Sequence, residues 1–249
     1  MSGFHDHFSA VAASYREFRP SYPPQLAAWL AEQSPDRALA WEAGCGSGQF
    51  SRTLAAAFTR VCATDASLQQ LAQAAPLAGV KFCCASAERS GLPDGCADLV
   101  VAAQAAHWFD LAAFYAEARR VGRPSALLAL ICYGHHQVAP ELDALVQHYA
   151  RVTAGPYWPP ERAAVDTLYR DLPFPFQEIT APPFALDERW DLARFSGYLA
   201  TWSATWRLVE ARGPEPFDKL TAELARVWGD PHASRLVRWP LGLRVGRIS

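Results

Sequence analysis

The chain has 249 residues, 51% of them hydrophobic and 19% charged, with 23 basic and 25 acidic side chains and a formal charge of −2. This composition argues against a disordered segment and against a strongly basic surface that tracks phosphates. No apolar run approaches the ~20 residues needed to span a bilayer.

The length suits one α/β domain with insertions, burying roughly 70–75% of its unfolded surface. Asp6, Arg16 and Glu17 fall where a signal peptide would keep an apolar core, so a soluble, cytoplasmic protein is expected. Six cysteines stand at 45, 62, 83, 84, 96 and 132 without a C-x-x-C pair, mostly in apolar strand-like runs. They read as reduced, buried thiols, not as a zinc site or a disulfide frame.

Residues 1–24 are aromatic and polar, with prolines at 20, 23 and 24 that forbid a long helix. Such a segment packs on the core, or it closes over a ligand as a lid, with Tyr15 stacking and Arg19 beside a carboxylate. Gln25 to Gln33 reads as a short helix, and Ala38 to Trp41 as the first strand. The glycine stretch Glu42-Ala43-Gly44-Cys45-Gly46-Ser47-Gly48 follows, and then a helix over Leu54 to Phe58. Strand, glycine turn and helix in this order open a nucleotide-type α/β sheet.

Val61 to Asp65 is the second strand, with Asp65 at its carboxyl end, where an acid accepts from ribose hydroxyls or caps the next helix. A helix over Leu68 to Ala75 ends at Pro76, and Val80 to Cys84 is the third strand. Ala97 to Ala103 is the fourth strand, followed by Gln104-Ala105-Ala106-His107-Trp108-Phe109-Asp110. An amphipathic helix spans Leu111 to Val121 and stops at Gly122-Arg123-Pro124. The apolar run Ala126 to Cys132 suits a fifth strand buried on both faces. The alternation predicts a parallel central sheet.

Beyond Tyr133 the pattern changes. Helices are predicted over Glu141 to Val152, Leu192 to Leu208 and Phe217 to Trp228, with a further helical turn over Asp166 to Leu172. Gly155 to Pro160 is a rigid aromatic loop. Tyr198, Trp202 and Trp206 recur every four residues, as a core stripe or a pocket wall. Phe176 to Thr180 returns to the sheet. Leu241, Leu243 and Val245 alternate with Gly242, Arg244 and Gly246 as a half-exposed last strand in a closing hairpin.

The series E-x-G-x-G-x-G resembles motif I of the class I S-adenosylmethionine (SAM)-dependent methyltransferases; a dinucleotide fingerprint would need glycine where Gln49 stands. Within that class the type 11, ubiquinone-biosynthesis-like group is indicated by Tyr15-x-x-x-Arg19-Pro20-x-Tyr22-Pro23 and by Ser86-Ala87-Glu88-x-x-x-Leu92-Pro93. Asp98-Leu99-Val100 and Gln104-Ala105-x-His107-Trp108-Phe109-Asp110 point the same way, the last resembling a branch that includes relatives of aconitate methyltransferases.

The resemblance implies a Rossmann-like, seven-stranded, mostly parallel sheet with an antiparallel last strand, helices on both faces and a mainly helical cap. It divides the chain into an N-terminal lid (1–24), a SAM-binding core (36–132), cap insertions (133–235) and a final strand (236–249). It implies SAM contacts from Tyr15, Arg19, Glu42, Gly44, Cys45, Gly46, Asp65, Ala66, Ser86, Ala87, Glu88 and Gln104, with Asp98 structural.

Methyl transfer is an in-line displacement that needs alignment and exclusion of water, and a base only for a protonated nucleophile. His107, just past the fourth strand, is the candidate base, or else a histidine held at a helix entry. Trp108, Tyr133, His135 and Trp202 are candidate acceptor contacts, with His136 as a second histidine. No metal is expected. The expected acceptor is a small molecule methylated at oxygen or carbon, not a nucleic acid, in a monomer or homodimer that does not engage a membrane. The rival readings are a methyltransferase acting on a macromolecule, a non-catalytic SAM sensor and an NAD-dependent oxidoreductase.

Overall fold

The computed structural model describes residues 18–248. Helix α1 (Pro24–Gln33) leads into strand β1 (Leu39–Ala43), then helix α2 (Gln49–Leu54), β2 (Arg60–Asp65), α3 (Leu68–Ala72) and β3 (Val80–Cys84). Next come β4 (Ala97–Ala103), a single 3-10 turn (Ala106–Trp108), α4 (Leu111–Val121) and β5 (Gly122–Tyr133). Strands β1 to β5 pair in parallel, as the alternation predicts, and their order is β3-β2-β1-β4-β5.

Period-2 alternation sorts the sheet residues onto two cores. Leu99, Val101, Leu127, Ala129 and Ile131 face one side with Leu26, Leu30, Phe50 and Leu54. Val100, Ala102, Leu128, Leu130 and Cys132 face the other with Trp41, Phe114, Tyr115 and Ala118. Both faces are covered, which is why these strands read as unbroken apolar runs.

After β5 the chain builds a cap. It comprises α5 (Pro140–His148), a π turn (Tyr149–Thr153), two 3-10 turns (Gly155–Tyr157 and Pro160–Arg162) and α6 (Ala163–Asp166). Two short strands follow, β6 (Gln177–Glu178) and β7 (Ala185–Trp190), then α7 (Leu192–Ala200), α8 (Ser203–Arg212) and α9 (Glu215–Trp228). The chain returns as β8 (Arg235–Arg247), antiparallel to its partners β5, β6 and β7. Leu241 to Arg247 pair with β5, whereas Arg235 to Pro240 pair with β7. One long strand therefore joins the sheet to the cap. Among the described residues no helix is long and apolar enough to cross a membrane.

Three expectations need correction. Among the described residues the sheet has eight strands; the added one is β7 (Ala-Leu-Asp-Glu-Arg-Trp), whose register is supplied by β8. The helix predicted over Leu192 to Leu208 is two helices. Trp202 is extended (φ −67, ψ 133), and the Thr201 hydroxyl donates to the Tyr198 carbonyl at 2.6 Å, which closes α7. The four-residue stripe is thereby broken: Tyr198 and Trp202 are buried while Trp206 is 38% exposed. The helix predicted over Leu68 to Ala75 ends at Ala72.

Asp98 sits where its structural role was expected. It is fully buried at the start of β4 and accepts from the N–H groups of Ala38 and Leu39, each at 2.9 Å, with Arg123 also 2.9 Å away. Asp98→Ala removes the acceptor of two amides and the nearer of the two carboxylates beside Arg123. It is expected to lower the unfolding free energy by about 3 kcal/mol, read as the urea midpoint, with Asp98→Asn losing less.

Candidate functional site

In the order β3-β2-β1-β4-β5 the chain winds one way from β1 to β3 and the other way from β4 onward. The crevice between the carboxyl ends of β1 and β4 is the place where such sheets hold ligands. The glycine turn leaves β1 at this point. Gly44 has φ +68, and a Cβ there would sit 2.6 Å from Ala105 Cβ and 3.0 Å from Phe109 Cζ. Gly48 has φ +79, and its Cβ would lie 2.7 Å from the Phe82 ring. Glycine is required at both by conformation and by space.

The turn is bonded to the next strand. Cys45 N–H donates to the Thr64 carbonyl at 3.0 Å, and Gly46 N–H donates to Asp65 Oδ2 at 2.7 Å. Asp65 Oδ1 accepts from Ser67 N–H at 2.8 Å, and Ser67 caps α3. Asp65 thus serves both as a strand-end acid and as a local organiser of the turn. Ala66 is exposed beside it, and so is Leu68, at 68%.

Beneath the turn, Glu42 is buried and accepts from the Ser51 hydroxyl at 2.5 Å. Burial, with the Asp65 charge adding to it, pushes the Glu42 carboxyl up to about 8 against the opposing Ser51 bond. Burial likewise drives the Cys45 thiol far up, so it stays protonated.

The loop after β3 folds as a turn, with Arg89 N–H donating to the Ser86 carbonyl at 3.2 Å. Ala87 is buried there. Glu88 Oε1 accepts from Asp110 N–H at 3.1 Å, which ties this loop to the cap of α4.

The Gln104 side chain is engaged within the protein. Its φ is +56, and its side chain bonds the end of β5 in both directions. Nε2 donates to the Tyr133 carbonyl at 3.1 Å, and Oε1 accepts from Tyr133 N–H at 2.9 Å. It acts as an added rung that fixes Tyr133.

Tyr133 in turn accepts from Arg19 Nη1 at 3.3 Å, while Arg19 Nη2 donates to the Thr201 carbonyl at 3.4 Å and its guanidinium lies over the Tyr198 ring. Arg19 therefore joins the sheet end to the cap. Tyr15 lies outside the described residues, as does most of the expected lid.

The cap side holds the histidines. His107, in the 3-10 turn after β4, has Nδ1 2.6 Å from the Tyr169 hydroxyl and its ring beside Trp108. Burial, helped by the Arg162 charge, lowers His107 to about 3. The ring is therefore neutral near pH 7, with Nδ1 engaged by Tyr169.

His135 Nε2 lies 3.9 Å from Asp166, which pairs with Arg162 at 2.7 Å; the His135 ring meets Trp202 edge-on. His136 points away into a cage of Phe195, Tyr198, Trp202 and Trp239, so the adjacent histidines do not share a site. Arg162, Asp166, Trp158 and Tyr169 complete this side. Sequence reasoning missed all four, since they lie in short turns that carry no periodic signal.

A glycine cradle bonded to a strand-end acid at the switch point of a parallel sheet, closed by an antiparallel strand, is the arrangement of an α/β enzyme built around a nucleotide-type site. The comparisons agree. Residues 41–130 match the family described as a methyltransferase domain. A provisionally named methyltransferase of Dictyostelium discoideum is 31% identical over 229 residues, covering 90% of this chain and 87% of its own. A provisionally named type II methyltransferase structure from Anaeromyxobacter dehalogenans has 45% identity and a TM-score of 0.88, covering 93% of this chain and 98% of that one. At 15% identity, a Haemonchus contortus N-methyltransferase in complex with S-adenosylhomocysteine shares the fold, with a TM-score of 0.51 and coverage of 99% and 60%. The chain belongs to the class I SAM-dependent methyltransferases.

The raised Glu42 value has a consequence for stability. The folded protein holds this proton up to about pH 8, whereas the unfolded chain releases it near 4.5. The contribution is full below 4.5 and is lost as pH rises through 8. Wild type should therefore lose stability relative to Glu42→Gln between about pH 5 and pH 9, by an amount on the order of a few kcal/mol, in urea unfolding at each pH.

Proposed function

We propose that the protein transfers a methyl group from SAM to an oxygen or carbon of a small-molecule acceptor by in-line displacement. The observation that carries this reading is the glycine turn locked to Asp65 through Gly46 N–H, with two positions that a Cβ would fill. The residues fit the cofactor. The backbone of Gly44, Cys45 and Gly46 receives the methionine end, and Glu42 supports that turn through Ser51. The Asp65 carboxylate accepts the ribose hydroxyls. Ala66, Ser86, Ala87 and Glu88 border the adenine, with Leu68 as an added apolar edge. When bound, SAM supplies an electrophilic methyl on a sulfonium centre.

On the acceptor side, Trp108, Tyr133, Trp158 and Trp202 form aromatic walls that exclude water, which favours displacement on a charged centre. Gln104 and Arg19 hold Tyr133 in place. His135 and Arg162 supply polar contacts. The net charge of −2 and a roof of short turns and rings favour a small molecule over a nucleic acid.

Calorimetry with SAM and S-adenosylhomocysteine tests the cofactor reading. Binding is expected in the wild type and should weaken by roughly 100-fold in Asp65→Ala, since each hydrogen bond to a charged group is worth about 1.5–3 kcal/mol. Heat with NADH and none with either adenosyl compound would end the proposal. Methyl release from labelled SAM across small acids, phenols and quinone precursors separates an enzyme from a sensor.

A further inference from the structure

Tyr169 occupies an unusual place. It and Leu168 are consecutive non-glycine residues in the left-handed region, at φ +62 and +54. Such a pair persists only where its surroundings over-determine it, and it is a pointer to function. Here Tyr169 N–H donates to the Ala164 carbonyl at 2.9 Å, and Arg244 Nη1 donates to the Leu172 carbonyl at 2.6 Å. Gly242 on β8 leaves the space, since a Cβ there would lie 2.6 Å from Leu168 Cβ. The outcome of this strained packing is a fully buried tyrosine whose hydroxyl rests 2.6 Å from His107 Nδ1.

A buried phenol must place its single proton. Burial pushes Tyr169 well above the usual tyrosine range, so the hydroxyl stays protonated. His107 Nδ1 lies 2.6 Å from that oxygen, and the buried O–H is satisfied by donating to it. The opposite arrangement, with the proton on Nδ1, would leave the phenol proton without that acceptor. The charged and titratable groups around this pair are Arg162, its partner Asp166, His135 beside Asp166, and the buried Cys132 thiol. None of them replaces Nδ1 as the acceptor for the phenol.

We propose that Tyr169 is a positioning residue whose hydroxyl donates to His107 Nδ1 and fixes the Nε2–H tautomer, so that this ring offers the methyl acceptor a hydrogen-bond donor and not a base. The chemistry of the acceptor follows. Its nucleophilic atom arrives unprotonated at neutral pH, next to an oxygen that accepts a hydrogen bond. The assignment of what His107 faces rests on the proposed methyltransferase reading; the tautomer itself does not.

The test is nitrogen NMR of the full chain with labelled histidine, in which His107→Gln identifies one of the seven histidine signals. In wild type, His107 is expected as a single Nε2–H tautomer that does not titrate between about pH 5 and pH 9. In Tyr169→Phe the Nδ1 resonance should shift toward the protonated position as the single tautomer is lost. A wild-type Nδ1–H form, or an unchanged tautomer in Tyr169→Phe, overturns the proposal. The wild-type spectrum decides alone if the variant does not fold. Calorimetry with S-adenosylhomocysteine on the same sample separates the two ideas. Heat with an Nδ1–H ring removes the positioning role only, and no heat with an Nε2–H ring removes the proposed function only.

Discussion

The bond from Gly46 N–H to the Asp65 carboxylate is the contact on which the site depends. It joins the end of the first strand to the end of the second, so the turn between β1 and α2 has one shape. Gly44 and Gly48 allow that shape because Ala105, Phe109 and Phe82 already occupy the places where side chains would go. The β2 residue Asp65, the loop after β4 and the β3 residue Phe82 therefore close on the turn directly. A left-handed backbone against packed rings tolerates no other residue there. The buried Glu42, held by Ser51, supports the same turn from within the sheet.

A second constraint comes from β8. One strand of thirteen residues pairs with β5 through half its length and with β7 through the other half. The cap is thereby hydrogen-bonded to the sheet through β8, not through side chains alone. Its aromatic core, with Trp190, Trp239, Tyr198 and Trp228, is continuous with the face of the sheet that carries Leu127, Ala129 and Ile131. Tyr133 and His135 hang from the end of β5, while Tyr169 and Arg162 come from the cap turns. Their relative positions are set where these two bodies of packing meet.

The legible parts of the sequence were those governed by local rules. Glycines at spacing two, an acid at a strand end, continuous apolar runs and the amphipathic helix Leu111–Val121 all report on a few neighbouring residues. The residues around His107 and Tyr133 were less legible. His107 was visible as a histidine past a strand, but its lowered value comes from burial and from Arg162, more than fifty residues away. Gln104 read as a ligand contact because it follows β4, yet its amide is directed to Tyr133 by a backbone conformation that glutamine rarely takes. The break at Trp202 was hidden because a helix and two helices share the same four-residue spacing.

By itself the sequence determined the parallel core and the glycine turn at the end of its first strand, since periodicity and glycine spacing act through nearest neighbours. Only the tertiary structure decided the eighth strand, the pairing of Tyr169 with His107 and the separation of His135 from His136. Those features depend on residues brought together by burial and by a common partner strand. Long-range packing of that kind leaves no period in the chain.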